Sequence, residues 1–268
     1  MKPTFAFAGF AIPTHELFVF LGALAGAIVF AVETRRRGSS DERLLWIIAG
    51  TLMFGALGAK LATVWRYVAV SGDSSFEGMI LRGGRSILGG LAGAYVGAHL
   101  TKRLVGYPRK TGDLFAPAVA LGMAIGRVGC FLSEQVGTPT TMPWGLRLSD
   151  ATLARIPNCS YCVPGVALHP SFLYEIAFHA AAFAVIWFWL RHKQVAAGEI
   201  LTLYIAAYGL FRFFVEFVRG NDIAWMGLTR PQLFLIVTIP LLLGRIAWKA
   251  GQGSLLRNER IAARGQDA

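Results

Sequence analysis

The chain alternates between long apolar runs and short polar breaks. A membrane's hydrocarbon core is about 30 Å thick and requires about 20 mostly apolar residues per helix. Seven such runs lie at Leu17–Val32, Leu44–Val70, Met79–Leu100, Leu114–Leu132, His169–Leu190, Glu199–Val218 and Pro231–Trp248. The pattern predicts an all-α integral membrane protein with about seven transmembrane helices in one polytopic domain, residues 1–268.

Positive charges cluster in alternate connections. Groups of Lys and Arg follow the first, third and fifth runs and recur in the C-terminal tail, while the other connections hold few. These groups are Arg35, Arg36, Arg37 and Arg43; Lys102, Arg103, Arg109 and Lys110; Arg191 and Lys193; and Lys249, Arg257, Arg260 and Arg264. The positive-inside rule therefore predicts an N-terminus outside and a C-terminus in the cytoplasm. Only Lys2 precedes the first run, which we interpret as a retained anchor rather than a cleaved signal peptide.

Composition narrows the class further. Hydrophobic residues make up 55% of the 268 residues and charged residues 15%, which excludes an ordinary cytosolic globule. The net charge of +11 would suggest nucleic-acid binding in a polar protein. Here topology accounts for it, and we expect no nucleic-acid partner. The one long connection, an outer loop at about 133–168, has the length of loops that are usually functional or disordered.

Charged residues inside the apolar runs are candidates for chemistry. Each costs about 2.5–3.5 kcal/mol to insert, so each should face a cavity or a partner. In AYGLFRFFVEFVRGND, residues Tyr208, Arg212 and Glu216 are spaced i, i+4, i+8 and share one helical stripe. Arg219 and Asp222 continue from this stripe. The alternative is that Arg212 and Glu216 form an ion pair with a purely structural role.

Two further clusters lie at run ends. In AIGRVGCFLSEQVG, the glycines around Arg127 permit close approach of a ligand, and Glu134 and Gly137 follow. In HPSFLYE, a titratable His169 stands at a helix start, followed by Tyr174 and Glu175 inside the run.

The third run contains RGGRSILGGLAGAYVGAH. Its glycine pairs, the second being Gly89 and Gly90, bracket Arg85. Such glycines either line an enclosed cavity or pack helices closely. Arginine suits a phosphate because its planar fork donates two parallel hydrogen bonds.

The three cysteines are too few for a disulfide scaffold. Cys159 and Cys162 form either a local disulfide or two thiols. A zinc site that joins Cys130 and His169 to them is the less favoured alternative, and we predict no metal and no cofactor.

At these clusters the sequence resembles the bacterial prolipoprotein diacylglyceryl transferase family. The motifs that match in order are GALGAKL, RGGRSILGGL, GRVGCFL, HPSFLYE and YGLFRFFVEFVRGND. The resemblance implies a multi-pass enzyme of the bacterial inner membrane. It would move diacylglycerol from phosphatidylglycerol to the thiol of a lipobox cysteine in a prolipoprotein signal peptide, releasing glycerol phosphate.

By position, Arg127 and Arg212 resemble the family's essential arginines. The other motif residues carried over are Tyr208, Glu216, Glu134, Gly137, Tyr174 and Glu175. Three positions depart from the family pattern: Leu88 replaces a histidine, Cys130 replaces an asparagine, and His15 replaces a tyrosine.

We therefore predict lipid transfer in the outer half of the membrane. Arg127 and Arg212, with Arg85, would hold the phosphate that leaves. His169 or His15 would activate the thiol, because the thiolate is the nucleophile. Glu216 would orient Arg212, and Tyr208 would bind glycerol or ester oxygens. The predicted catalytic residues are thus Arg127, Arg212, His169, Tyr208 and Glu216, and the predicted substrate contacts are Arg85, Gly89, Gly90, Glu134, Gly137, Tyr174, Glu175 and His15.

Two other hypotheses remain open from the sequence. A related transferase with another lipid donor or acceptor would explain the departures at Leu88 and Cys130. A non-enzymatic carrier of lipid or anionic solute would use the same arginines, although the chain shows no inverted repeat of the kind common in transporters.

Overall fold

Helices dominate the protein. The computed structural model describes residues 4–7, 10–39, 41–72, 74–75, 77–79, 86–133, 137–153 and 162–255. The helices in these ranges are α1 Thr14–Arg36, α2 Arg43–Ser71, α3 Ile87–Leu104, α4 Gly112–Ser133, α5 Asp150–Leu153, α6 Ser171–Phe188, α7 Glu199–Val215 and α8 Arg230–Gly251. Short strands form three antiparallel pairs: β1 Thr4–Phe7 with β2 Phe10–Pro13, β3 Leu146–Arg147 with β4 Ala167–Leu168, and β5 Ile223–Trp225 with β6 Leu228–Thr229.

Six of the described helices are long and apolar enough to cross a membrane. They are α1, α2, α4, α6 extended to His192, α7 extended to Val218, and α8. This confirms the predicted all-α membrane class. The third predicted run is represented by the 18-residue α3, which is not one of the six, so the count of seven stays a prediction.

The outer faces of these helices are apolar. On α2, Leu45, Trp46, Leu52 and Met53 are each more than 60% exposed, and Leu241 on α8 is 68% exposed. Apolar surface of this extent would promote aggregation in water. Lipid tails are as apolar as these side chains, so the exposed faces agree with a membrane environment.

The chain divides into two compact units: a hairpin unit, residues 35–109, and a main unit, residues 1–34 with 110–268. In the hairpin unit, α2 and α3 pack through glycines. A methyl group added at Gly89 would lie 2.6 Å from the carbonyl oxygen of Gly58, and one added at Gly90 would lie 3.6 Å from that of Gly55. The described neighbours of Gly89 and Gly90 are thus on α2, which supports the helix-packing alternative for both. Their role as substrate contacts stays a prediction.

Polar contacts fix the ends of the hairpin unit. The Ser86 hydroxyl accepts a hydrogen bond from the Gly89 amide (3.1 Å) and caps the start of α3. At the opposite end, Arg43 donates to the carbonyl of Gly106 (2.9 Å) and pairs with Asp41 (2.7 Å). Hydrogen bonds from Arg43 hold the pKa of Asp41 below its usual range.

In the main unit, α4 packs along α6 and α7. A buried hydrophobic core lies between them, formed by Ala116, Ala120, Ile186, Ile200 and Tyr204. Helix α1 approaches α4 closely, because a methyl group added at Gly22 would lie 2.5 Å from the carbonyl oxygen of Gly122. These contacts fix the inward face of α4.

Ion pairs join the beginning of α7 to the last turns of α8. Arg245 binds both oxygens of the buried Glu199 carboxylate (2.8 and 2.9 Å), and Lys249 donates to it as well (2.5 Å). The carboxylate is therefore fully paired, and this group is structural.

The long connection between α4 and α6 folds back on the helix ends. Strands β3 and β4 pair within it, and the Thr138 amide donates to the carbonyl of Val218 (2.9 Å) at the end of α7. Cys162 is disulfide-bonded. The described residues of this connection thus lie at the end of the main unit where α4 and α7 finish and α6 begins.

Candidate functional site

A buried carboxylate bridges two arginines at this end of the main unit. Glu175 of α6 is 0% exposed, and its Oε2 lies 2.5 Å from Nη2 of Arg127 on α4. Its Oε1 accepts a hydrogen bond from Nη1 of Arg219 (2.5 Å), just after α7. One carboxylate therefore holds guanidinium groups from two different parts of the chain.

Local sequence explains why these groups meet. Pro170 immediately precedes α6, and helix starts favour proline. Glu175 thus falls in the second turn of α6, while Arg127 lies near the end of α4 and Arg219 directly follows a 3-10 turn, Glu216–Val218. All three residues stand within two turns of a helix end.

Tyr208 of α7 completes the surroundings of Arg127. Its hydroxyl accepts a hydrogen bond from Nη2 of Arg127 (3.3 Å). Nη1 of the same guanidinium faces the buried thiol of Cys130 (3.9 Å). The position at which the resemblance expects asparagine therefore lies within the site.

A second carboxylate orients the remaining arginine. Arg212 pairs with Glu216 one turn later, as the i, i+4 spacing predicted. Oε1 of Glu216 also accepts hydrogen bonds from Asn221 (2.7 Å) and from the hydroxyl of Thr229 (2.9 Å). The β5–β6 hairpin follows Asn221 and ends at Thr229, and it brings both donors to Glu216. Three partners thus fix this carboxylate and, through it, Arg212.

The five charged groups form one arginine cluster, composed of Arg127, Arg212, Arg219, Glu175 and Glu216. The charge of Arg219 interacts with each of the other four. By formal charge, three guanidinium groups and two carboxylates leave one net positive charge. Guanidinium forks bind phosphates with paired hydrogen bonds, so the cluster suits a ligand with one negative charge.

The sequence predicts four of the five charged groups of this cluster. Its pattern indicates Arg127, Arg212, Tyr208 and Glu216 as catalytic and Glu175 as a substrate contact, and the structure brings these residues together. Arg219 is the charged group that the sequence does not predict. A buried Glu175 needs compensating charge, and this requirement could have pointed to Arg219, which follows the Arg212 stripe at i+7.

The other predicted residues of HPSFLYE form a separate group. His169 Nδ1 and the Tyr174 hydroxyl are 3.1 Å apart, and Trp144 of the long connection donates to the same hydroxyl (2.8 Å). The Gly137 amide donates to the carbonyl of His169 (2.8 Å). These contacts place His169 and Tyr174 beneath the long connection, to which Gly137 belongs.

His15 stands at the start of α1 beside α4. A methyl group added at Gly129, two residues after Arg127, would lie 3.2 Å from the His15 carbonyl oxygen. Its imidazole Nδ1 is 3.9 Å from a Glu16 carboxylate oxygen. Two predicted site residues, Arg85 and Glu134, lie outside the described residues.

One of the four ligands of the alternative zinc site is not available to bind metal. Because Cys162 is disulfide-bonded, its sulfur is not a thiolate that could bind zinc. Cys159 lies outside the described residues. Over the ranges that the structure describes, no three His, Cys, Asp or Glu side chains are grouped to hold a metal ion.

Comparisons with known proteins identify the family. A family model described as prolipoprotein diacylglyceryl transferase matches residues 3–248. The phosphatidylglycerol–prolipoprotein diacylglyceryl transferase of Finegoldia magna is 28% identical over 244 residues, which cover 89% of this chain and 91% of the relative. That of Gloeobacter violaceus is 31% identical over 244 residues, covering 87% of each. Because the family match extends over nearly the whole chain and includes all of the arginine cluster, the chain belongs to the prolipoprotein diacylglyceryl transferase family.

Proposed function

We propose that this chain transfers a diacylglyceryl group from phosphatidylglycerol to the thiol of a lipobox cysteine in a prolipoprotein. The observation that carries the proposal is the buried arginine cluster with one net positive charge, which matches the single negative charge of a phosphodiester. The names of the relatives supply the donor lipid and the prolipoprotein acceptor.

The reaction exchanges one bond for another at a glycerol carbon. The thiolate attacks the diacylglycerol carbon bonded to the phosphate oxygen. The C–S bond forms as the C–O bond breaks, and the bonding electrons move onto the phosphate oxygen. Glycerol phosphate then leaves, and the peptide retains a thioether.

Negative charge develops on the leaving phosphate, and the guanidinium groups of the arginine cluster stabilise that charge. Arg127 and Arg212 hold the phosphate, with their guanidinium groups fixed in advance by Glu175 and Glu216. Donors that are already oriented in a water-poor site stabilise developing charge without reorganisation. Tyr208 binds glycerol or ester oxygens beside Arg127.

A base removes the thiol proton, and His169 is our candidate. Its ring is oriented by the Tyr174 hydroxyl, and both groups lie beneath the long connection, where an acceptor peptide would arrive. The proton then passes to the leaving phosphate. His15 is the second candidate because it stands beside Gly129 at the same end of α4.

This function requires the cluster to face the outer half of a bacterial inner membrane. The alternation of basic connections supports that placement, with the N-terminus outside and the C-terminus in the cytoplasm. We propose α3 as the seventh span of one polytopic domain. Arg85, Gly89, Gly90, Glu134 and Gly137 are proposed substrate contacts.

Mass spectrometry tests the proposal. Purified protein is incubated with phosphatidylglycerol of defined chain length and a lipobox peptide, and we expect the peptide mass to rise by one diacylglyceryl group as glycerol phosphate appears. A peptide with serine in place of the cysteine is the control and should stay unmodified. Lipid binding without any mass shift would contradict transfer and favour a carrier.

Phosphatidylethanolamine with the same acyl chains tests the donor. Equal or faster transfer from it would contradict phosphatidylglycerol as the preferred donor. If both lipids bind and neither is transferred, the result would contradict both the proposed transferase activity and the proposed donor.

A further inference from the structure

One stripe of α6 carries three buried polar side chains. Ser171, Glu175 and His179 are spaced i, i+4, i+8 and are each at most 1% exposed. Within the described ranges, three buried side-chain polar atoms have neither a hydrogen-bond partner nor an ion-pair partner, and two of them, Ser171 Oγ and His179 Nε2, lie on this stripe. The third is Nε of Arg127. Buried polar atoms normally have partners, so this concentration beside the arginine cluster indicates a place for polar atoms of a ligand.

His179 adjoins the cluster without belonging to it. Its Nδ1 lies 2.9 Å from the hydroxyl of Tyr204. Its ring packs against Tyr208, with centroids 4.6 Å apart, and Tyr208 accepts a hydrogen bond from Arg127. If the Tyr204 hydroxyl donates to Nδ1, the other nitrogen of the neutral ring carries the proton. Nε2–H is then a buried donor that needs an acceptor.

The position of His179 along α6 indicates which group of a bound lipid could accept this hydrogen bond. It lies one turn after Glu175, about 6 Å further along α6, towards the middle of this 18-residue helix. In a glycerophospholipid, the acyl ester carbonyls lie a few bonds from the phosphate on the acyl-chain side. A lipid with its phosphate at Arg127 and its chains in the membrane therefore presents a carbonyl oxygen at the level of His179.

We infer that His179 donates a hydrogen bond through Nε2 to an acyl ester carbonyl of the bound phospholipid, and that it thereby selects ester-linked over ether-linked lipid. This inference rests on the proposed function, because that function places the phosphate at the arginine cluster. An ether-linked chain has no carbonyl oxygen and therefore does not give Nε2 the hydrogen bond that an ester-linked chain provides.

The test compares diacyl phosphatidylglycerol with its dialkyl ether analogue of equal chain length. Two quantities are measured in detergent micelles: kcat/KM for transfer to a lipobox peptide, and the rise in unfolding temperature that each lipid produces. His179→Phe removes the donor, His179→Gln keeps an N–H donor, and His99→Phe makes the same exchange at an exposed histidine of α3.

We expect His179→Phe to lower kcat/KM for the ester lipid about tenfold, the effect of one buried hydrogen bond, and to leave the ether lipid unchanged. The ester-to-ether ratio of kcat/KM is compared between variants, so that differences in intrinsic reactivity between the two lipids cancel. His179→Gln should retain a preference for ester, and His99→Phe should match the parent protein.

Equal losses on both lipids would overturn the inference and assign His179 a structural role. No loss on either lipid would also overturn it, and would mean that no lipid carbonyl binds Nε2. If the parent protein transfers neither lipid, the proposed function fails separately. The stabilisation by ester over ether lipid, and its loss in His179→Phe, then still decides the inference.

Discussion

Replacing Glu175 with glutamine is the sharpest test of how the arginine cluster is built. Glu175→Gln keeps the shape of the side chain and removes its charge. Arg127 and Arg219, each 2.5 Å from this carboxylate, would then face each other across a neutral amide. The net charge of the cluster would rise from one to two.

The structure sets the size of the effect. Glu175 is 0% exposed and Arg127 only 3%, so water cannot replace the lost partner. Removing one partner of a buried ion pair costs about 3–5 kcal/mol. The amide still accepts a hydrogen bond, so we expect the lower end, about 3 kcal/mol, or roughly a 100-fold shift in the folding equilibrium.

Reversible unfolding in mixed detergent micelles measures this change, with Glu16→Gln at a half-exposed position of α1 as the control. The control should stay within about 0.5 kcal/mol of the parent protein. A Glu175→Gln protein as stable as the control would refute the reasoning, because the carboxylate could not then be compensating two buried guanidinium groups.

Three further predictions concern neighbouring contacts. Tyr208→Phe removes the hydroxyl that accepts from the α4 guanidinium, and we expect transfer to fall roughly tenfold with the circular dichroism spectrum unchanged; unchanged transfer would contradict this contact. Thr229→Val removes one of the donors to Glu216 and should lower the free energy of unfolding by about 1–3 kcal/mol, whereas no change would mean that water replaces the hydroxyl. Gly22→Ala should destabilise the protein by more than about 1 kcal/mol, since its methyl group would meet backbone 2.5 Å away, while Gly244→Ala, with open space around it, should not.

Periodicity and charge predicted the membrane class and the central stripe of the site. The i, i+4, i+8 spacing places Tyr208, Arg212 and Glu216 on one side of an otherwise apolar segment. Polar groups are costly to insert in such a segment unless they have partners, so the spacing indicates a site. That signal can be read from the sequence because all three residues lie close together on α7 and the 3-10 turn that directly continues it. The third span was harder to define, since glycines there reduce hydropathy and serve close packing with α2.

Partners from distant parts of the chain could not be predicted from spacing. Thr229 reaches Glu216 only because the β5–β6 hairpin turns the chain back, and Arg219 reaches Glu175 across 44 residues. His179 is not among the residues predicted from the sequence, although it shares the i, i+4, i+8 spacing of Ser171 and Glu175 on α6. Its proximity to Tyr208 depends on how α6 packs against α7, which only the tertiary structure shows.

We propose that the arginine cluster holds the phosphate that leaves during lipid transfer. The most direct measurement compares transfer of a diacylglyceryl group to a lipobox peptide by Arg127→Ala and Arg245→Ala, both purified as folded protein. Each change removes one guanidinium partner from a buried carboxylate. Arg245, on α8, pairs with Glu199 at the opposite end of α7, and Lys249 still pairs with Glu199 after the change. Transfer lost in Arg127→Ala and retained in Arg245→Ala is the predicted result, and full transfer by folded Arg127→Ala would contradict the claim.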